Sequence, residues 1–446
     1  YSTADPYVKK VWDGRYTGIR MCNQLLENID RVPDLDPELK KRYIGEAKVL
    51  RAYNYYELYT KFGDVPYTTK VLSIKESMSI ARTDRATVIA NMLADLDEVI
   101  NGNYLPTSYD ADNKGRITRW AAMAIKAKIY LFEGNWTQVK NITSTIMTEG
   151  GFKLFGSYAG LFEIANEYNS EVILDAQYRP TSREHQMMYV FLPPTLGGYS
   201  QLSPLQELVD SYIMLDGKTI KETGTSFDES HPYANRDPRL KATVMYTGNS
   251  YTLADGTEVV INCEKGEGKD GYGVGSDCSA TGYYIKKYWD NAYRATLYSG
   301  LNPILIRYAD ILLMNAEALA ELGELDKTAW DATIKPIRDR AGFTLASALE
   351  FPEGASKDKL IEIVRNERRS ELALEGHRHK DIIRWRIADN VLNGWCHGLK
   401  TNDVVGTDDG YVRVENRTFN ANKHYLWPIP QAERDLNGNL EQNPNW

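Results

Sequence analysis

The sequence is poor in the features that mark several large classes of protein. Lysine and arginine (53) do not outnumber aspartate and glutamate (61), and the formal net charge is -8. With no basic surplus to neutralise phosphates, nucleic-acid binding is disfavoured. No run of ~18 uncharged apolar residues occurs, the length a spanning helix needs. The richest stretch, Pro303 to Leu322, is broken by Arg307, Asp310 and Glu317. Four cysteines, Cys22, Cys263, Cys278 and Cys396, are too few for a disulfide scaffold and lack Cys-x-x-Cys spacing for zinc. Cys263 and Cys278 bracket the glycine-rich loop KGEGKDGYGVGSD, which leaves both a disulfide and two free thiols open. No Gly-x-Ser-x-Gly elbow, Walker A loop or dinucleotide fingerprint stands in a suitable context. The chain opens on Tyr1-Ser2-Thr3 with no start methionine, signal peptide or lipid-attachment cysteine, as expected of a processed or trimmed product.

What is present is a chain of 446 residues, long enough to bury a sizeable core. Its 42% hydrophobic and 26% charged content excludes disorder. The 30 tyrosines and 9 tryptophans stand against only 10 phenylalanines. A chain that only filled a core would favour Phe, which has no hydroxyl to satisfy. Tyr and Trp suit half-exposed platforms, although helix packing accounts for many of them.

Periodicity predicts a mainly α fold. Trp12 to Ile29 carries apolar residues at helical spacing. Ile44 to Leu58 leaves so little polar face that its helix must lie between neighbours before Gly63 and Pro66 end it. Thr83 or Asp84 caps a helix over 86–100, and Thr118 caps WAAMAIKAKIYLFEG, which turns at Gly134-Asn135 into WTQVKNITSTIMTEGG. From Phe152 to about Asn302 the periodicity dissolves into Gly, Pro, Asn and Asp clusters with short strand-like runs, VILDAQY, KATVMY and GYYIKKY. Helical signal returns with Pro303 at the first turn before ILIRYADILLMNAEALAELG, then over Asp326 to Arg340 and Lys357 to Leu374. The expected layout is one domain over 1–446, with helix pairs at about 1–151 and 303–390. An irregular insert fills about 152–302, and an extended C-terminal segment runs from about 391 to 446.

The densest ionisable stretch is RNERRSELALEGHRHKDIIRW. Glu367, Glu371 and Glu375 recur every four residues and so share one helix face, ~5–6 Å apart. Paired carboxylates at that separation serve retaining glycoside hydrolysis, but such a pair must flank a bond in a cleft. Neighbouring arginines make a structural ion-pair network the favoured reading. His377 and His379 stand two apart, point to different helix faces and do not form His-Glu-x-x-His. The Asp270 to Asp277 loop has the texture of a calcium loop without its ligand order or closing Glu.

Seven segments, in this order, resemble the SusD/RagB-like family, surface glycan-binding lipoproteins of Bacteroidota nutrient-uptake systems. They are GEAKVLRAYNYYELYTKFGDVPY, ADLDEVI before Leu105-Pro106, ITRWAAMAIKAKIYLFEGNW, NRDPRLKATV, LIRYADILLMNAEAL, the charged stretch above, and YLWPIPQAERDLNGNLEQNPNW. The resemblance implies a tetratricopeptide-like helix-pair scaffold with a loop-rich insert. It also implies non-catalytic binding of oligosaccharide at the outer-membrane cell surface, no cofactor, and import through a SusC-like TonB-dependent transporter. Members carry an N-terminal lipidated cysteine, so the anchor is expected to precede Tyr1. Their ligand contacts lie in variable loops, and no binding residue transfers by motif. A peptide or other non-sugar nutrient, or a glycan-processing activity, stays open as an alternative.

The site is therefore sought among loop aromatics, since a sugar presents an apolar C–H face and hydroxyl edges. The segment leaving GYYIKKY and preceding Pro303 offers Trp289 and Tyr293 as platforms and Asp290, Asn291 and Arg294 as hydroxyl partners. Tyr283, on the strand, is a weaker choice. The region of Tyr178, Tyr189 and Tyr199 is the alternative.

Overall fold

The computed structural model describes residues 1–446. Its contacts divide the chain into two compact units.

The first unit comprises Tyr1–Ile146, His379–Leu392 and Phe419–Trp446. Its helices are α1 (Pro6–Asn28), α2 (Pro37–Phe62), α3 (Arg85–Asn101), α4 (Arg119–Phe132) and most of α5 (Trp136–Glu149). Side chains cap four of them: Asp5, Asp36, Asp84 and Thr118 each accept a first-turn N–H. The cap at Asp5, with Pro6 behind it, starts α1 earlier than the apolar spacing predicts. Helix α2 packs against α1, α3 and α4. Ala47, Tyr55, Tyr56 and Leu58 are accordingly buried, as its missing polar face required. The C-terminal segment closes this unit. Trp427 donates its N–H to the Lys61 carbonyl (2.7 Å), and its ring stands edge-on to Phe62 at 5.8 Å. The Asn443 amide bonds the Phe62 and Trp427 carbonyls at 2.9 and 2.7 Å. His379 lies against Trp427, and burial pushes its imidazole down to about 4, so it stays neutral.

The second unit comprises Met147–Arg378 and Asn393–Thr418. The helices from Tyr308 to Glu371 fall here, together with the loop-rich middle. Strand β1 (Val172–Asp175) pairs antiparallel with a late strand, Ile304–Arg307. The helix expected from Pro303 therefore begins only at Tyr308, because Ile304 and Ile306 are spent on sheet pairing. Short pieces form two further ribbons: β2 (Val244–Met245) with Tyr284–Ile285, and β3 (Ser250–Thr252) with β4 (Glu258–Val260). In chain order the later strands are β5 (Tyr284–Ile285), β6 (Ile304–Arg307), β7 (Gly394–Lys400), β8 (Thr407–Asp408) and β9 (Tyr411–Arg417). The last three make a sheet in the order β7-β9-β8, where the sequence predicts only an extended segment. Two short helices, α6 (Met187–Phe191) and α7 (Gln206–Ser211), precede α8 (Tyr308–Leu322), α9 (Lys327–Ala341) and α10 (Lys357–Glu371). Helix α8 packs on α9 and α10. All four cysteines are free, which settles the open choice at Cys263 and Cys278. Cys263 is buried, and the Cys278 thiol points to the Lys269 carbonyl.

The charged stretch is a buried ion network. Glu371, the last residue of α10, accepts from Arg307 (2.6 Å), Arg239 (2.9 Å) and Arg340. Glu367 accepts from Arg338 and is ion-paired with Arg239, each at 2.7 Å. Glu171 accepts from Arg307 and Arg340. The helix does not run on to Leu374 as its spacing suggests. Leu374 turns back with φ 63°, and Glu375 reaches the network from that turn, bonding Arg307 and Lys287 at 2.7 Å each. Burial alone would raise the Glu371 pKa, but Arg340, Arg307 and Arg239 hold it far below the carboxylate range. Glu375, under the same opposition of burial against Arg307 and Lys287, sits at about 2.

Two expectations follow. Glu371→Ala removes the carboxylate that three buried arginines share and costs about 3 kcal/mol, read as a lower melting temperature. An unchanged melt would place the arginines' partners elsewhere. The second concerns His397 on β7, whose ring lies 2.8 Å from Glu207 and 3.1 Å from Asp408. Partial burial lowers its pKa, but the bonds to Asp408 and Glu207 outweigh this and raise it above 6.5. The stabilisation is thus complete below pH 6.5 and lost as pH rises through the raised value. Melts from pH 5.5 to about 8.5 should show wild type losing more stability than His397→Gln. Parallel curves would remove the ring from the linkage.

Candidate functional site

One apolar cluster of the second unit holds the loops in question from beneath. Met188, Leu192, Tyr212, Tyr251, Tyr283, Tyr284, Tyr293 and Leu301 are buried in it, while Tyr189, Tyr288 and Trp289 pack on its margin. The loop after β5 is tied to the ion network at its base. Lys287 donates to Glu375 and to the Ala373 carbonyl, and the Tyr288 hydroxyl donates to the Leu374 carbonyl. Burial brings the Lys287 ammonium down to about 8.

Within that loop the sequence-predicted residues divide. Tyr283 is 2% exposed, with its hydroxyl on Gln206 (2.6 Å) and near that of Tyr233 (3.1 Å). The expected alternation of GYYIKKY does not sort its rings, because Tyr283, Tyr284 and Ile285 are all buried and only Tyr284–Ile285 pairs as strand. Tyr293 is 8% exposed. Asp290 uses both oxygens as backbone acceptors, from Ile164 (2.7 Å) and Ala292 (2.9 Å). Trp289 is half-buried, its ring 5.0 Å from Tyr251 and its indole N–H on the Thr252 carbonyl. Asn291 donates to that same carbonyl. Arg294 is exposed. The loop thus presents a guanidinium and the margin of an indole, while the two tyrosines and the aspartate face inward.

The second region assembles a different surface. His185 and Ser299 exchange backbone hydrogen bonds of 2.9 Å in both directions, bringing residues 178–202 beside 296–301. That approach requires Gly300: a Cβ there would stand 2.4 Å from the Pro180 nitrogen. Gly198 is needed for the same reason, since its Cβ would meet the Leu192 carbonyl at 2.1 Å. The turn so formed carries Tyr199 over Tyr189, ring centres 4.5 Å apart and 34° inclined, with the Tyr199 N–H on the Tyr189 carbonyl. The Gln186 amide donates to the Tyr298 hydroxyl at 2.8 Å. Tyr199 and Tyr298 remain 41% and 42% exposed. The Tyr199 hydroxyl, as acceptor beside it, raises the Tyr189 phenol, and Tyr298 and Asp277 add to the effect. Four groups therefore converge on solvent: three phenol rings and one amide. At the edge, Tyr178 stands under the Arg183 guanidinium (5.1 Å) and against the His185 ring. The sequence offers the tyrosines as a set; Gln186 and Asp277 carry no local signal and are placed by the fold alone.

The other candidate chemistry is enclosed. Glu367, Glu371 and Glu375 are all buried in ion pairs. The buried acid of the glycine-rich loop, Asp270, accepts the Thr195 N–H with its carboxylate and the Tyr284 hydroxyl with its carbonyl.

Tyr199 and Tyr298 are thus exposed aromatics carried on turns of a mainly helical protein. Residues 161–446 match the model of the SusD family, and residues 1–131 match a model described as starch-binding associating with outer membrane. The chain belongs to the SusD family. It is similar to SusD-like protein P25 of Formosa agariphila, 28% identical over 409 residues, covering 86% of this chain and 71% of that protein. The crystal structure of a SusD-like carbohydrate-binding protein from Bacteroides fragilis superposes with a TM-score of 0.87 at 29% identity, covering 99% of this chain and 87% of that one. A second SusD-like protein of the same organism gives 0.85 at 28%, covering 100% and 87%. The mainly α fold with helix pairs that the sequence predicts is thereby borne out.

Proposed function

We propose that this protein binds oligosaccharide or polysaccharide without cleaving it, at the outer-membrane surface, and delivers it to a TonB-dependent transporter. The observation that carries this reading is the surface of exposed Tyr199 and Tyr298 with half-buried Tyr189 and the Gln186 amide beside them. Phenol rings offer the C–H face of a pyranose a flat apolar contact, and the amide and hydroxyls serve its edge. Burial of the three glutamates in ion pairs supports the non-catalytic part, since none is free to reach a glycosidic bond. The family description as associating with the outer membrane supports the location. Trp289, Asn291 and Arg294 form a second, more restrained flank.

Affinity electrophoresis against a glycan panel tests the reading, with product release monitored in the same samples. Retardation without release is expected, and release would mark an enzyme. Tyr199→Ala should weaken binding about tenfold or more. Trp289→Ala, whose indole is held by Tyr251 and Thr252, should have a smaller effect. The reverse order would move the platform to the loop after β5.

The delivery role predicts that solubilised outer membrane yields the protein with a large β-barrel partner in near-equal amount. Recovery of this chain alone under several mild detergents would count against it.

A further inference from the structure

The first unit contains a concavity built from different chemistry. It lies between the first turn of α2 and the loop joining α3 to α4, with a volume of about 540 Å³, within the usual range for a small-ligand site. Arg42 from α2 and Arg119 from the start of α4 both line it. Each has a buried Nε–H with no hydrogen-bond acceptor. A guanidinium stays charged at any ordinary pH, so an unsatisfied N–H of this kind carries a standing desolvation cost.

This vacancy of partners is local. Arg116 forks onto Glu46, Arg51 onto Asp95, and Lys48 contacts Asp95 and Glu98, while Lys41 lies over the Tyr104 ring. Of the two acids at the concavity, Asp36 is used as the α2 cap, accepting the Leu39 N–H at 2.8 Å. Glu38 is exposed. Arg42 is held in place by its contacts with the Tyr43 and Tyr109 rings, 5.6 and 5.7 Å from their centres. Two positioned guanidiniums without counter-ions, at the wall of a cavity, are the arrangement that receives an oxyanion.

The rest of the lining narrows the ligand. Leu105, Pro106 and the Tyr104 ring supply an apolar side, while Asn103, Thr107 and Glu38 supply hydroxyl partners. An inorganic anion would leave those groups unused. We propose that the concavity binds an acidic sugar, its oxyanion (a uronate carboxylate or a sulfate ester) on Arg42 and Arg119 and its ring against Tyr104 and Pro106. This is a second binding site, separate in residues and in chemistry from the tyrosine surface.

Calorimetric titration of the full chain with glucuronate, glucose 6-sulfate, glucose and inorganic sulfate tests it. At least one sugar acid should bind tenfold or more tightly than glucose, and binding should weaken as salt is raised. A response to glucuronate alone assigns a carboxylate, and a response to glucose 6-sulfate alone assigns a sulfate. The Arg42→Gln, Arg119→Gln double variant should lose that preference with an undiminished melting temperature. If the pair melts early, Arg119→Gln alone should still show a severalfold loss. Equal binding of glucose and both acids, a preference that survives these variants, or inorganic sulfate binding as tightly as the sugars would overturn the proposal.

Discussion

The second unit depends on one constraint: four carboxylates and four arginines must find each other in the core. Glu371 is the shared acceptor, holding Arg239, Arg307 and Arg340 from three different segments. Each of those arginines would be costly to bury alone, and each is tolerable only because the others' partners are in place. The network therefore acts as a register pin. It requires β6 to deliver Arg307, α9 to deliver Arg340 and α10 to end at Glu371. The turn after α10 then brings Glu375 to Lys287, which fixes the loop carrying Trp289. A charged cluster that reads in sequence like candidate catalytic chemistry is spent on geometry.

The two aromatic regions show how a tyrosine-rich chain divides its rings. Where the phenol finds an internal acceptor, as Tyr283 does on Gln206 and Tyr284 on the Asp270 carbonyl, the ring goes inward. Tyr189 and Tyr199 lie ring against ring, Tyr298 takes the Gln186 amide, and Tyr199 and Tyr298 remain at the surface. The excess of Tyr over Phe thus serves both purposes: hydroxyls that lock loops to a core, and hydroxyls left facing water.

Much of this was legible from local signals. Caps at Asp84 and Thr118, the stop at Gly63 and the two-sided burial of α2 depend on residues within a turn or two, and a single sequence shows them. The strand at Ile304–Arg307 was not legible, because its partner β1 lies far back in the chain and only that pairing overrides the helical reading. The same holds for β7 and β9, and for the break at Leu374. At the site, tyrosines and tryptophan were visible as a set, but their exposure was not. Tyr293 and Tyr283 are covered by residues distant in sequence, and the His185–Ser299 pairing that lifts Tyr199 and Tyr298 into view is equally non-local.

The way the first unit is closed bears on its birth. Phe62 and Lys61 belong to α2, yet the groups that cover and bond them, Trp427 and Asn443, lie far downstream and are made much later. Synthesis runs from the N-terminus, and contacts so distant in sequence form late. The unit whose first helices are made early therefore waits for residues 419–446 before it can close. A nascent chain that has not yet reached that segment would still display the open end of α2 to whatever escorts it.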